Sequence, residues 1–271
     1  MARDAPPNRR RWYVSFAHLS VSACLRRVRS GPSQRPCVPF DGRVSIYAKN
    51  LKTGAAYDLG GSNRCNTASS IKVPIMIGVF AAIEAGKVHW TDTSELTGAN
   101  KVPGSGVLHE MSDGTKVPLR DLIRYMILLS DNTATNLVLD HVSGNEVNAT
   151  MAKLGIEHTR SLRKILKGST PEGVSEAGRD PANATFGIGV ATPKEMVSLL
   201  ERMYRGEIVS KAASEEMLGI MKKQIWRDGM PRRFDSIGVD VSDKPGALDH
   251  LRRRRRDRLF KSRPGGDRHL L

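Results

Sequence analysis

Ser69 and Lys72 lie three positions apart in a chain of 271 residues. On a helix, side chains at this spacing share one face, with about 5–6 Å between their Cβ atoms. A serine hydroxyl becomes an effective nucleophile when a neighbouring base takes its proton, and a neutral lysine can act as that base. The spacing therefore permits nucleophilic catalysis, although an ordinary helix start with an exposed lysine has the same spacing.

The helix predicted to carry this pair is apolar on nearly all sides. No charged or polar side chain occurs from Val73 to Ile83, and such a helix is buried. We predict that it runs to about Ala85 and ends at Gly86, whose glycine suits a helix C-terminus. Burying a Ser–Lys pair at the start of this helix costs free energy, which favours a functional role for the pair.

A second polar group, Ser130-Asp131-Asn132, separates two helical patterns. Apolar residues recur at helical spacing from Leu119 to Leu129, and a further helix is predicted from Thr133 to Val142. Ser130 or Asp131 is a suitable N-cap for that further helix. Capping alone would account for this polar group.

A third polar group follows a predicted strand near the end of the chain. Apolar and polar residues alternate in Ser236–Ser242, so Ile237, Val239 and Val241 are predicted to face inward. Lys244-Pro245-Gly246 comes directly after this strand. Lys244 is therefore predicted to lie at this strand.

The remaining pattern predicts a hairpin, a long loop and two helices. Arg43–Lys49 and Ala55–Leu59 alternate as paired strands around a turn. Residues 155–191 contain six glycines and two prolines, and an irregular stretch of this length is typical of a functional loop. Thr192–Glu195 predicts a capping box for a helix that ends near Gly206. A further helix is predicted from Ser210 or Ser214 to about Gln224.

The net charge of +15 belongs almost entirely to the two ends of the chain. Residues 1–40 carry +7, residues 251–271 carry +7, and residues 41–250 carry only +1. The central region is therefore nearly neutral, and the overall charge does not indicate a nucleic-acid-binding domain. We predict a basic, disordered leader or degraded signal over 1–40, one domain over 41–250, and a disordered Arg-rich tail over 251–271.

The N-terminal region has features of an export signal. Arg9–Arg11 precede the moderately apolar run Trp12–Leu25, and Val21-Ser22-Ala23-Cys24 is similar to a bacterial lipoprotein box. The chain has no apolar run of 18 residues, so no transmembrane helix is predicted. Its cysteines have neither disulfide nor metal-site spacing, and the last of them is predicted to be a small buried side chain. The cysteines are Cys24, Cys37 and Cys65.

Taken in order, Ser69-x-x-Lys72, Ser130-Asp131-Asn132 and Lys244-x-Gly246 form a specific combination. On these motifs the chain resembles the penicillin-recognising serine hydrolases, most closely the class A β-lactamases. The resemblance covers about residues 42–248. It implies an α/β fold, a sandwich of an antiparallel sheet with flanking helices and an all-helical subdomain within about 66–230. Flanking sequences that support it are Thr67–Pro74, Pro103–Leu108, Leu119–Leu122 and Ser130–Asn136.

The resemblance implies three catalytic residues. Ser69 is similar to the nucleophile that opens the lactam and becomes acylated. Lys72 corresponds to its activating base or to a part of the proton network. Ser130 corresponds to the residue that passes a proton to the leaving nitrogen.

It also implies four residues that bind the substrate, and neither a metal nor a cofactor. Asn132 resembles the side chain that binds the acylamido group, and Lys244 resembles the cation that attracts the substrate carboxylate. Gly246 and Ala247 line the same site, where the Ala247 N–H would help to bind the oxyanion.

The sequence departs from the family pattern in three places. Pro245 stands where threonine is usual, which removes a hydroxyl and a backbone donor. The loop over 155–191 has no E-x-x-x-N motif for deacylation, and Glu172 and Glu176 are only weak substitutes. After the third motif the sequence becomes the run Arg252–Arg256, so the last strands of the family sheet are expected to be missing.

These observations leave three functions open. The first is a serine hydrolase that opens β-lactams. The second is a D-alanyl-D-alanine carboxypeptidase, or a penicillin-binding protein that does not turn over. The third is an inactive truncated product whose basic ends bind polyanions. We expect a small-molecule substrate, no specific nucleic acid, a monomer, and a periplasmic or secreted location. Arg252–Arg256 is interpreted as a solvated tail.

Overall fold

The structure is a computed structural model that describes residues 12–23, 40–166, 173–229, 231–235 and 240–247. Strands and helices alternate along the described chain, which confirms the mixed α/β class. The strands are β1 (Trp12–Ala23), β2 (Phe40–Asn50), β3 (Ala56–Leu59), β4 (Cys65–Asn66), β5 (Thr93–Glu95), β6 (Lys116–Pro118), β7 (Arg160–Ser161) and β8 (Gly189–Ala191). The α-helices are α1 (Lys72–Glu84), α2 (Leu119–Leu128), α3 (Asn132–His141), α4 (Gly144–Lys153), α5 (Glu176–Arg179), α6 (Pro193–Arg205), α7 (Lys211–Lys222) and α8 (Pro231–Asp235).

The strands form small antiparallel sheets. The largest has the order β1-β2-β3, and the two others pair β4-β8-β7 and β5-β6. Ile46 pairs with Leu59 and Lys49 with Ala56, which confirms the predicted hairpin. Helix α6 packs against β1 and β2 of this sheet. At this contact the Lys49 ammonium lies 2.7 Å from Oε2 of Glu201.

Residues 1–40 were predicted to be disordered, and this prediction is wrong for Trp12–Ala23, which form β1. This strand pairs with β2 along most of its length, from Trp12 opposite Asn50 to Leu19 opposite Arg43. The segment is rich in aromatic and β-branched residues, which favour strands. The same apolar residues also suit the export signal predicted from the sequence. Cys24, Cys37 and the rest of 24–39 lie outside the described residues.

α1 is the central element of the core. Its residues from Val73 to Phe80 are all buried, and each fully buried aliphatic side chain contributes roughly 1.5–3 kcal/mol. Gly78 lets α4 approach closely, since a Cβ at that position would lie 2.9 Å from Cγ2 of Val147. The helix ends before Gly86, whose φ is +67°. The predicted buried helix and its glycine stop are confirmed.

The helices predicted around α1 are also found, with two differences. α2, α3, α6 and α7 lie where helical spacing placed them, whereas α4 was not predicted. Thr192 caps α6 by accepting a hydrogen bond from the Glu195 N–H at 3.2 Å. The Glu195 carboxylate does not complete the predicted capping box. It accepts hydrogen bonds from Glu157 N, His158 N and the Thr159 hydroxyl instead, and so fixes the turn before β7.

The long loop over 155–191 contains short regular elements that the sequence did not indicate. β7, α5, the 3-10 turn Pro181–Phe186 and β8 all lie within it. β8 pairs with both β4 and β7, so this loop closes against the turn that precedes α1. Cys65, on β4, is buried with a free thiol, as predicted.

The last described segment, residues 240–247, is not a strand, so the predicted strand Ser236–Ser242 is wrong for its described residues 240–242. Residues 236–239 and 248–271 lie outside the described residues, as do the Arg-rich tail and the expected end of the sheet. The segment lies along α7. The Ser242 hydroxyl donates to Leu218 O at 3.1 Å, and Asp240 pairs with Lys222 at 2.9 Å. No helix within the described ranges is both long and apolar enough to span a membrane.

Candidate active site

Ser69 lies on the 3-10 turn Ala68–Ile71 that leads into α1. Ala68 has a φ of +44°, which residues with a Cβ rarely adopt. A backbone conformation of this kind costs about 1–3 kcal/mol and persists only where its surroundings fix it. Here the Asn66 side chain accepts a hydrogen bond from the Ala68 N–H at 2.9 Å. Ser69 is therefore presented by a constrained backbone.

The two adjacent serines have different surroundings. The Ser70 hydroxyl donates to Thr67 O at 2.6 Å, which occupies it in the turn. The Ser69 hydroxyl makes no hydrogen bond within the part of the chain that the structure describes. Ser69 is thus the serine available to a substrate, in agreement with the spacing argument.

Lys72 is fully buried, with 0% of its surface exposed. Its Nζ lies 2.7 Å from Ser130 O, 3.2 Å from Ser130 Oγ and 3.2 Å from Asn132 Oδ1. Burial lowers the pKa of Lys72 well below its ordinary range, and the charge of Lys244 lowers it further, against the opposing effect of Asp131. A lowered pKa favours the neutral amine, which is the form that can accept a proton.

The Ser130 hydroxyl lies between two lysines. Lys72 Nζ is 3.2 Å and Lys244 Nζ is 2.9 Å from its oxygen. Burial lowers the pKa of Lys244 to about 7, although the Asp243 charge opposes this. Two amine nitrogens on one hydroxyl form a continuous path along which a proton can move.

Asp131 has a structural role that the sequence indicated only in part. Its carboxylate accepts a hydrogen bond from Ala134 N at 2.8 Å, which confirms the predicted N-cap of α3. The second oxygen accepts from Val107 N at 2.7 Å and from Leu108 N at 2.9 Å. Asp131 thereby fixes the loop over 103–108 to the start of α3. This contact joins distant parts of the chain and has no local sequence signal.

Asn132 is held by the same loop. Its N–H donates to Ser105 O at 2.9 Å, and its side-chain Nδ2 donates to Pro103 O at 3.2 Å. The side-chain Oδ1 accepts from Lys72. An amide nitrogen carries two hydrogens, and only one of those on Nδ2 is used by Pro103 O. The side chain therefore has a fixed orientation and one spare donor.

The third motif lies against the turn that carries Ser69. A Cβ added to Gly246 would lie 2.7 Å from Thr67 O and 3.2 Å from Ser70 N. Only glycine permits this approach. Hydrogen bonds thus connect Lys72, Ser130, Asn132 and Lys244, and Gly246 packs against the turn that carries Ser69. The substrate-binding role of Ala247 remains a prediction.

Of the two weak glutamate candidates, the structure describes only Glu176, which makes no contact with this group. Glu172 lies outside the described residues. Glu176 is exposed at the start of α5, where its N–H donates to the Asn145 side chain at 2.8 Å. In the described part of the chain, no hydrogen bond or ion pair joins a carboxylate to Lys72 or Ser130.

Ile165, in the loop over 155–191, is bound to α3 by its backbone. The Asn136 side chain accepts from Ile165 N at 2.8 Å and donates to Ile165 O at 2.9 Å. Asn136 is four residues after Asn132, so both side chains lie on one face of α3. Ile165 is therefore held at α3 one helical turn from Asn132, a placement that sequence reasoning missed.

Residues 37–254 match the model of the "Beta-lactamase enzyme family". The chain belongs to this family. Among sequences, it is 25% identical over 211 residues to β-lactamase CARB-3 of Pseudomonas aeruginosa, covering 78% of this chain and 69% of that protein. It is 24% identical over 239 residues to a β-lactamase of Rhodobacter capsulatus, covering 88% and 76%.

One solved structure gives the same family assignment, and a second shows the same fold. A β-lactamase from Sphaerobacter thermophilus DSM 20745 has 33% sequence identity and a TM-score of 0.62, with 72% of this chain and 70% of that one covered. PBP-A has 24% identity and a TM-score of 0.61, with 74% and 70% covered. The predicted β-lactamase/transpeptidase-like fold is confirmed, and the chain is a serine hydrolase of the β-lactamase type.

Proposed function

We propose that this member of the β-lactamase family opens β-lactam rings through an acyl-enzyme on Ser69. The observation that carries the proposal is the Ser130 hydroxyl, which lies 3.2 Å from Lys72 Nζ and 2.9 Å from Lys244 Nζ beside the Ser69 turn. These three groups form a proton path, and a proton path is needed to move a proton from the attacking hydroxyl to the departing nitrogen.

Each residue then has one task in acylation. The Ser69 oxygen attacks the lactam carbonyl carbon and forms a C–O bond, while its proton passes to neutral Lys72. The lactam C–N bond breaks, and the nitrogen takes the proton of Ser130. Lys72 returns its proton to Ser130, so the network is neutral overall at the end.

Charge stabilisation comes from groups that are already fixed. The N–H groups of Ser69 and Ala247 would bind the oxyanion, and losing one such donor typically raises the barrier by about 2.7–4 kcal/mol. Protonated Lys244 would attract the substrate carboxylate. The spare hydrogen of Asn132 Nδ2 would bind the acylamido carbonyl.

A second candidate is a penicillin-binding protein with slow turnover. The contacts of Asp131 and Glu176 favour it. Deacylation needs a base for the attacking water, and the Asp131 carboxylate is occupied by three backbone N–H groups. Glu176 is held at the start of α5 by its backbone N–H, which donates to the Asn145 side chain on α4 at 2.8 Å. A peptide ending in D-alanyl-D-alanine would acylate Ser69 through the same residues and release its last D-alanine.

Two assays on the wild-type chain test the function. A chromogenic cephalosporin measures turnover, and a fluorescent penicillin followed by denaturing gel and intact-mass analysis measures covalent label. One label per chain supports acylation. Continuous turnover together with label supports the β-lactamase, and label that persists supports the slow candidate. Neither label nor turnover at millimolar substrate would refute the proposal.

Acylation is expected to be fastest near neutral pH and to fall at alkaline pH. Lys244 is charged below its pKa of about 7 and neutral above it, so attraction of the substrate carboxylate is lost as pH rises through that value. We expect the second-order acylation rate to fall up to about tenfold per pH unit above the pKa. Stopped-flow acylation between about pH 5.5 and 9 measures the profile.

The Lys244→Arg variant is the control for this profile. Arginine stays charged throughout the range, so the variant acylates more slowly but loses the alkaline fall. An unchanged alkaline fall in Lys244→Arg would assign it to another group.

We further infer that the chain acts outside the cytoplasm, as members of its family typically do. Fractionation of the cell of origin, with an antibody to the chain, tests it, and signal only in the cytoplasmic fraction would contradict it. A monomer remains a prediction.

A further inference from the structure

The segment Gln224–Trp226, directly after α7, closes the C-terminal end of α2. The last carbonyls of a helix have no partner within it, and here this segment supplies three. Gln224 Nε2 donates to Ile127 O at 2.6 Å, Ile225 N to Leu128 O at 3.3 Å, and Trp226 Nε1 to Leu129 O at 3.4 Å.

Trp226 is thereby fixed next to Ser130. Leu129, which accepts from the indole, directly precedes Ser130, whose φ is +54°. The Gln224 side chain is buried and also accepts from Trp226 N at 3.1 Å. The tryptophan is therefore anchored at its backbone and at its indole N–H.

Its ring is nevertheless open to solvent. Trp226 is 46% exposed and Ile225 is 53% exposed, although tryptophan is usually highly buried. An anchored aromatic ring with a free face beside a reactive group is suited to contact a ligand.

The position of the ring relates it to one part of the substrate. Lys244 lies on the 240–247 segment, which packs along α7 through Ser242 and Leu218. Trp226 follows the end of the same helix, whereas Asn132 is held by the loop over 103–108. Trp226 and Lys244 thus both belong to segments held by α7, and they bind the consecutive residues Leu129 and Ser130. In a bicyclic β-lactam, the carboxylate that Lys244 would attract is on the ring that contains the leaving nitrogen.

We propose that Trp226 forms an apolar wall for the substituent on that carboxylate-bearing ring. This rests on the proposed function. The wall selects β-lactams with an aromatic or bulky apolar group there over those with a small one, because the ring gains a stacking or edge contact only with the former. Ile225 extends the same surface.

Trp226→Ala, compared on two cephalosporins, tests the wall. The two compounds share one acylamino side chain and carry either an arylvinyl or a methyl group at the ring carbon next to the carboxylate. We expect the second-order acylation rate of Trp226→Ala to fall about tenfold with the arylvinyl compound and less than about twofold with the methyl compound. Trp226→Phe, which keeps a ring but has no N–H, should recover most of the loss.

The outcomes separate a wall from a structural contact. An equal fall with both compounds, accompanied by a lower melting temperature, would assign Trp226 to positioning of Leu129 and Ser130 alone and overturn the wall. No fall with either compound would also overturn it. Tyr57→Ala, which removes another exposed aromatic ring from β3, is the control and should change neither rate. If neither compound acylates the wild type, the proposed function itself fails.

Discussion

The Ser69→Ala variant is expected to take up no fluorescent penicillin, whereas Ser70→Ala is expected to become labelled like the wild type. The two substitutions are adjacent and remove the same atom. They differ in what that atom does, since the Ser70 hydroxyl is bound to Thr67 O at 2.6 Å. The Ser69 hydroxyl has no such partner among the described residues.

The size of the effect follows from the loss of the bond-forming atom. Removing the nucleophile of a serine hydrolase lowers catalysis by a factor on the order of 10⁶, so labelling of Ser69→Ala should lie below detection. Ser70→Ala loses one hydrogen bond in the turn, which costs about 0.5–1.5 kcal/mol of stability. Its acylation rate should stay within about fivefold of the wild type, because the turn around Ser69 keeps its other contacts.

Labelling is measured by intact-mass analysis after a fixed exposure to penicillin, and thermal unfolding checks that both variants are folded. A labelled Ser69→Ala, or an unlabelled but folded Ser70→Ala, would show that the nucleophile has been assigned to the wrong serine. Digestion and mapping of the modified peptide from the wild type then identify the serine directly.

Much of the fold could be predicted because its signals are local. The apolar run of α1, the glycine at position 86 and the N-cap at Asp131 depend on neighbouring residues, and all three are found. α4 was missed although Ser143 and Glu146 form a capping box. β1 was missed because its apolar residues suit an export signal as well as a strand.

The site was predictable in its members but not in its contacts. Helical spacing placed Ser69 and Lys72 on one face, yet Lys72 Nζ bonds to Ser130 and Asn132. These contacts depend on how α1 packs against the start of α3. The approach of Gly246 to Thr67, and the hydrogen bond from Trp226 to Leu129, join segments about 100 residues or more apart. No pattern within one segment encodes such distances.

The missing loop motif has a structural counterpart in Ile165. The Asn136 side chain binds both backbone groups of Ile165, at 2.8 Å and 2.9 Å, so this residue is held beside the face of α3 that carries Asn132. Its apolar side chain cannot accept a proton from water. The fold thus fixes this position beside α3, but the residue there is not a base.

Ile165→Glu is therefore expected to shorten the lifetime of the acyl-enzyme. A positioned general base typically contributes 10²–10⁴-fold, and we expect the deacylation rate to rise by about 10²-fold or more, which corresponds to about 2.7 kcal/mol of barrier. The acylation rate should change by less than about threefold, because Ser69, Lys72 and Ser130 are untouched. Acyl-enzyme mass followed over time after removal of free penicillin gives the deacylation rate.

Ile165→Gln is the matched control, since glutamine has nearly the shape of glutamate but does not act as a base. If Ile165→Gln accelerates deacylation as much as Ile165→Glu, the gain comes from a more polar or looser loop and not from proton transfer. If neither variant changes the rate while the wild type already hydrolyses its acyl-enzyme within seconds, another base serves deacylation. A gain confined to Ile165→Glu, which rises with pH as the carboxylate ionises and then levels off, would show that this position beside α3 is where the activating base for water belongs.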